Sequence, residues 1–119
     1  MNVLRHLALA CALPLVAPAA HANDFPTVDR VLYVQECIRA HPGPHFEMVN
    51  KCSCALDKLA AEVKFDDYVT MVTVVNAVTI GGERGGELRD NETVKPQIAR
   101  YREIQARVQK GCFIDTGPR

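Results

Sequence analysis

Apolar and polar residues alternate along this chain with helical rather than strand-like spacing over most of its length. Val28, Val31, Leu32 and Ile38 recur every three or four positions, with Gln35 as a polar exception, and predict a helix over residues 28–40. Thr27 or Asp29 would cap its start. The string His41-Pro42-Gly43-Pro44 stops it, because two prolines and a glycine cannot continue a helix. A second, more strongly amphipathic helix is predicted from His45 to Lys64, with Phe46, Val49, Cys52, Leu56, Leu59, Ala60 and Val63 on one face. Two helices joined by so short a turn form an antiparallel αα-hairpin.

The third segment carries conflicting signals. Nine of the twelve residues from Val69 to Ile80 are β-branched, which favours a strand. A strand there would have no partner, since no other segment reads as β. Asp66 and Asp67 resemble a helix start, and Tyr68, Met71, Val72, Val75, Val78 and Thr79 keep helical spacing, so a helix is expected. Residues 81–90 then read as a glycine-rich charged loop. A last helix runs over residues 92–110, with Val94, Ile98, Tyr101, Ile104 and Val108 inward, beginning near Lys95 if Pro96 lies in its first turn and closed by Gly111. The expected fold is all-α: a small four-helix domain with an N-terminal αα-hairpin, stapled by two disulfides.

The first 22 residues read differently. Arg5 and His6 precede an apolar run from Leu7 to Val16, and Ala20-His21-Ala22 gives the small-x-small pattern of a signal peptidase site. Residues 1–22 are therefore expected to be a cleaved signal peptide, with cleavage before Asn23. The run is too short to span a hydrocarbon core of about 30 Å. A retained anchor, or a lipoprotein built on Cys11, fits less well. Cleavage leaves one domain, residues 23–119, expected in the periplasm. That segment balances its acidic and basic residues almost evenly and has no basic stripe, which argues against nucleic-acid binding. No second apolar run suggests a membrane span.

Export leaves Cys37, Cys52, Cys54 and Cys112, an even number in a small secreted domain and so a disulfide framework. A Cys52–Cys54 bridge is set aside, because residues two apart on a helix point about 200° from one another. Two pairings remain. Cys37 with Cys52 and Cys54 with Cys112 suits the levels of a hairpin. Cys37 with Cys54 and Cys52 with Cys112 suits the helix faces. The level argument is preferred and the second pairing stays open.

Lys51-Cys52-Ser53-Cys54 also invites chemistry. A redox dithiol needs Cys-x-x-Cys at a helix N-terminus, and here the spacing is Cys-x-Cys in mid-helix. No Cys-x-x-Cys-His string exists for a c-type haem. Thiolates of Cys52 and Cys54 with His41, His45 or Met48 would suit copper, the main alternative to a disulfide framework. No nucleophile–base arrangement is evident, and no motif implies a cofactor.

The segment Gly82-Glu83-Arg84-Gly85-Gly86-Glu87-Leu88-Arg89-Asp90 has the least expected composition. It lacks the Lys-Ser/Thr of a phosphate-binding loop and the spacing of a dinucleotide fingerprint. It is not an EF-hand either, although Glu83, Glu87, Asp90 and Glu92 carry suitable oxygens. It is either a flexible linker or a partner-binding loop using Gly82, Glu83, Arg84, Gly85, Gly86, Glu87, Arg89 and Asp90, with Arg84 and Arg89 as anchors.

The export-type start, Cys37, the His41-Pro42-Gly43 turn, Lys51-Cys52-Ser53-Cys54-Ala55-Leu56-Asp57, Tyr68 and the stretch from Gly82 to Asp90 together resemble a family of small secreted bacterial proteins. Members of that family tend to be encoded beside pyrroloquinoline-quinone-dependent (quinoprotein) alcohol dehydrogenases. The resemblance implies a periplasmic accessory of quinoprotein alcohol oxidation; with no nucleophile–base arrangement, the expectation is a non-catalytic protein that binds another protein, such as the quinoprotein dehydrogenase or its cytochrome. It brings no catalytic residues and no cofactor.

Overall fold

The computed structural model describes residues 23–117, and the predicted signal segment 1–22 lies outside the described residues. Five α-helices follow in order: α1 Thr27–Ala40, α2 His45–Glu62, α3 Phe65–Val78, α4 Glu83–Asp90 and α5 Lys95–Gly111. No strand occurs among the described residues. The all-α fold and the αα-hairpin are as the apolar spacing implies; the extra helix, α4, is not.

Helix α2 forms the middle of the domain, with α1 on one side and α5 on another. Its buried residues Met48, Cys52, Ala55, Leu56 and Leu59 form a stripe wide enough to serve both neighbours. Arg30 and Asp57 lie 3.7 Å apart across the α1–α2 hairpin, and Arg107 of α5 pairs with Glu62 of α2. Phe46, expected on the inner face, is instead 83% exposed, because Met48 takes the inward position at that level.

Helix α3 packs on α5 and resolves its β-branched ambiguity through tertiary contacts rather than propensity. Met71 and Val78 are its fully buried residues. Asp66 and Asp67 occupy the first turn, where carboxylates favour the helix dipole, but they do not cap it. The Phe65 N–H instead donates to Asp24 Oδ2 at 3.0 Å, so a residue before α1 closes the start of α3. Phe25, buried beside it, packs edge-on against Phe65 with ring centroids 5.2 Å apart.

The expected loop over residues 81–90 is corrected to a turn followed by α4. Gly82, at φ 85°, supplies the left-handed step, and the Gly86 N–H returns to its carbonyl at 3.2 Å. Arg89 then reaches back, its Nη1 donating to the carbonyls of Val78 at 2.9 Å and Ile80 at 3.4 Å. One guanidinium thus satisfies the end of α3 and anchors α4 on it. Gly85 is buried against that turn, and a Cβ there would fall 1.7 Å from the Ile80 carbonyl oxygen. A Cβ on Gly86 would approach nothing nearer than Arg89 Nη2 at 3.8 Å.

Helix α5 ends in a Schellman turn. Phe113 N–H donates to Lys110 O and Ile114 N–H to Gln109 O, and Ile114 is buried. The left-handed position belongs to Phe113, at φ 59°, with its ring 84% exposed.

Two expectations follow. Gly86→Ala should stabilise the domain by roughly 0.5–1 kcal/mol through helix propensity. Gly85→Ala should destabilise it by roughly 1–3 kcal/mol through overlap with the Ile80 carbonyl. Thermal unfolding of the two variants reads the opposite signs. Separately, Phe113→Gly should raise the melting temperature, since glycine removes a left-handed penalty of about 1–2 kcal/mol, offset partly by unfolded-state entropy.

Candidate functional site

The Cys-x-Cys string is fully occupied by crosslinks. Cys37 is bonded to Cys52 and Cys54 to Cys112, with Cα–Cα distances of 5.8 and 5.9 Å. The two sulfurs leave α2 towards different helices, which is what a two-residue spacing gives when α2 lies between α1 and α5. The residues considered for copper are not brought together as ligands. Neither cysteine is a thiolate, Met48 is packed in the core, and a Cβ on Gly43 would lie 3.1 Å from its Cγ. His41 is half-buried and His45 exposed at the hairpin turn. No group of three or more His, Cys, Asp or Glu suited to a metal occurs among the described residues.

The glycine-rich segment divides its residues between structure and surface. Arg89 is engaged by the end of α3 and Gly85 by a close approach, so neither is available as an anchor or flexible element. Positive φ occurs at Gly82, not at Gly85 or Gly86. Glu83, Arg84, Glu87 and Asp90 remain exposed.

A concave surface lies elsewhere, in a cleft of about 740 Å³ walled by α1 and α3 and floored by α5. Leu32 and Ala40 line one wall, Val69, Val72 and Thr73 the other, and Tyr101, Gln105 and Gln109 the floor. Aromatic rings close one end. Tyr68 stands 5.0 Å from Phe25 and 6.4 Å from both Tyr33 and Tyr101, centroid to centroid. Tyr33 donates its hydroxyl to Gln105 Oε1 at 2.8 Å, and Gln109 Nε2 reaches the same oxygen at 3.5 Å. Gln105 Nε2 is buried with no acceptor among the described residues.

The apolar spacing that places Leu32 and Val72 on helix stripes does not say which neighbours cover them, so it does not reveal this cleft. Leu32 is 56% exposed, and Val28, Val31 and Val69 are exposed as well. The signal was the width of the apolar stripe on α1, which exceeds what one neighbouring helix can cover.

The cleft's phenols are held in their protonated form. Burial raises the pKa of all three tyrosines, that of Tyr68 to about 12. Neighbouring charge adds to burial: Asp29 pushes Tyr68 up and Glu36 pushes Tyr101 up. The phenols therefore stay protonated near neutral pH and act there as hydrogen-bonding groups.

A pH dependence follows from Tyr68. Its pKa is 10.0 without perturbation and about 12 in the fold. Below pH 10 both states hold the proton and the folded state keeps its full advantage. Between 10 and 12 the unfolded phenol ionises first, so stability falls as pH rises through that window. Chemical denaturation at stepped alkaline pH, followed with phenolate absorbance, should show phenolate appearing together with unfolding.

No helix among the described residues is long and apolar enough to cross a membrane. Comparison with known proteins finds no matching family model, no matching curated protein and no matching solved structure.

Proposed function

We propose that this chain is a periplasmic, non-catalytic accessory protein that works by binding another protein, in support of a quinoprotein alcohol dehydrogenase system. The observation that carries the binding reading is the apolar surface of α1. Val28, Val31 and Leu32 lie outside the core, and Leu32 opens onto a cleft with an aromatic and amide floor. A small domain that needs every apolar side chain for its own core gains nothing from leaving three on one helix exposed.

The residues also suit an exported setting. Both disulfides belong to an oxidising compartment, and an export-type segment precedes them. The quinoprotein context rests on the resemblance carried by the hairpin turn, the Cys-x-Cys string and the glycine-rich segment. The dehydrogenase or its cytochrome is the partner it implies.

The test is recovery of the protein from the periplasm of its own host. The dehydrogenase or cytochrome should co-purify with it, and deletion should lower dehydrogenase yield and slow growth on alcohols. Normal growth with unchanged dehydrogenase would refute the assignment. Mass spectrometry without reductant should show a mass lower by four hydrogens, two for each bridge. Intact thiols with bound copper would replace it with the metal-handling alternative.

A further inference from the structure

The cleft between α1 and α3 has a chemical polarity that narrows its occupant. Among its lining residues are two carboxylates, Asp29 and Glu36, and no lysine, arginine or histidine. Both stand on the α1 wall, seven residues apart, which is about 10 Å along a helix. Asp29 has no ion-pair partner among the described residues, while Glu36 shares its charge with Arg39 on the solvent side. Between and opposite them stand the apolar side chains of Leu32, Val69 and Val72, with Thr73 and Asn76 beside them on α3. The α1 wall runs from Asp29 to Ala40, about 16 Å or three helical turns.

The geometry points to a partner protein's amphipathic helix as the occupant, with an apolar stripe seated between Leu32 and Val72 and lysine or arginine residues flanking it against Asp29 and Glu36. This rests on the binding reading above and adds the chemistry of the partner segment. The acidic α1 wall decides against two other occupants. A second copy docking antiparallel through the same face would set the Asp29 of one chain against the Glu36 of the other, and no cation lines the cleft to offset Asp29. An acidic helix would meet the same repulsion. A basic one gains both charge pairs while burying its apolar face, the helix-in-groove mode of recognition.

The length of the α1 wall sets the partner segment at about twelve residues, and the spacing of the carboxylates sets its cations about two turns apart. The tyrosine-lined end adds rigid aromatic surface, and the Gln105 and Gln109 amides supply polar groups at the floor.

The experiment uses the processed, disulfide-bonded protein and three helical probe peptides of about twelve residues. The first carries a leucine stripe flanked by lysines, the second has glutamates for the lysines, and the third has serines for the leucines. Calorimetry should show binding of the first, and nitrogen-edited NMR should place its shifts on Leu32, Val69 and Val72. Binding of the second and third should be weaker by about tenfold or more. Asp29→Asn with Glu36→Gln should weaken the first peptide by about tenfold, and Leu32→Ser should abolish its binding. Leu32 and Glu36 are exposed and Asp29 half-buried in the first turn of α1, so circular dichroism should stay unchanged and the melting temperature should fall by no more than the helix-dipole contribution of one carboxylate. Equal binding of the lysine and glutamate peptides, shifts on another face, or a concentration-dependent dimer abolished by Leu32→Ser would overturn the proposal. Co-purification of the native partner with wild type and Leu32→Ser alike would also overturn it, while leaving the accessory reading intact.

Discussion

Sulfur atoms leave α2 from Cys52 and Cys54, two residues apart, and the arrangement of the domain depends on where they go. One crosslink fixes α1 to α2 and the other fixes the end of α5 to α2. In the chain-entropy model, loops of 15 and 58 residues contribute about 3 and about 4 kcal/mol. Domains of this size are stable by only about 5–15 kcal/mol in total. The two bridges therefore let the chain hold three helices together with a small core, and they free some apolar residues from that task.

Helix α1 shows this most clearly. Of its fourteen residues only Tyr33 and Cys37 are fully buried. The Cys37 sulfur and the Tyr33 hydroxyl, one covalent tie and one hydrogen bond to Gln105, add to the packing of Val34 and Ile38 against the core, while Val28, Val31 and Leu32 lie exposed. A helix kept in place mainly by hydrophobic contact would have to turn that stripe inward. Crosslinked, it leaves Leu32 on the rim of a cleft and lets α3 stand apart as the opposite wall.

How much of this was legible in the sequence follows from the range of the interactions involved. The hairpin was readable because a 3.6-residue period and a Pro-Gly-Pro break are local. The β-branched helix was readable only by elimination, and its start is closed by Asp24, some forty residues earlier in the chain, which no local rule anticipates. The glycine-rich helix was missed because local propensity opposes it, whereas a single arginine returning to the end of α3 decides it. The cleft was missed for a different reason. Periodicity identifies an apolar stripe without saying how many neighbours cover it, so the exposure of Phe46 and Leu32 does not show in it.

The pairing of the cysteines also bears on how the chain reaches its native state. Among the described residues Cys37 is joined to Cys52 and Cys54 to Cys112, so the two loops neither nest nor cross. If the chain is exported N-terminus first, as proposed, it presents Cys37, Cys52 and Cys54 before Cys112. An oxidant acting on cysteines in order of emergence would make the native bonds directly, with no shuffling step. The α1–α2 hairpin can be locked while α5 is still arriving, and Cys54, pointing away from the first bridge, waits for the last turn of the chain.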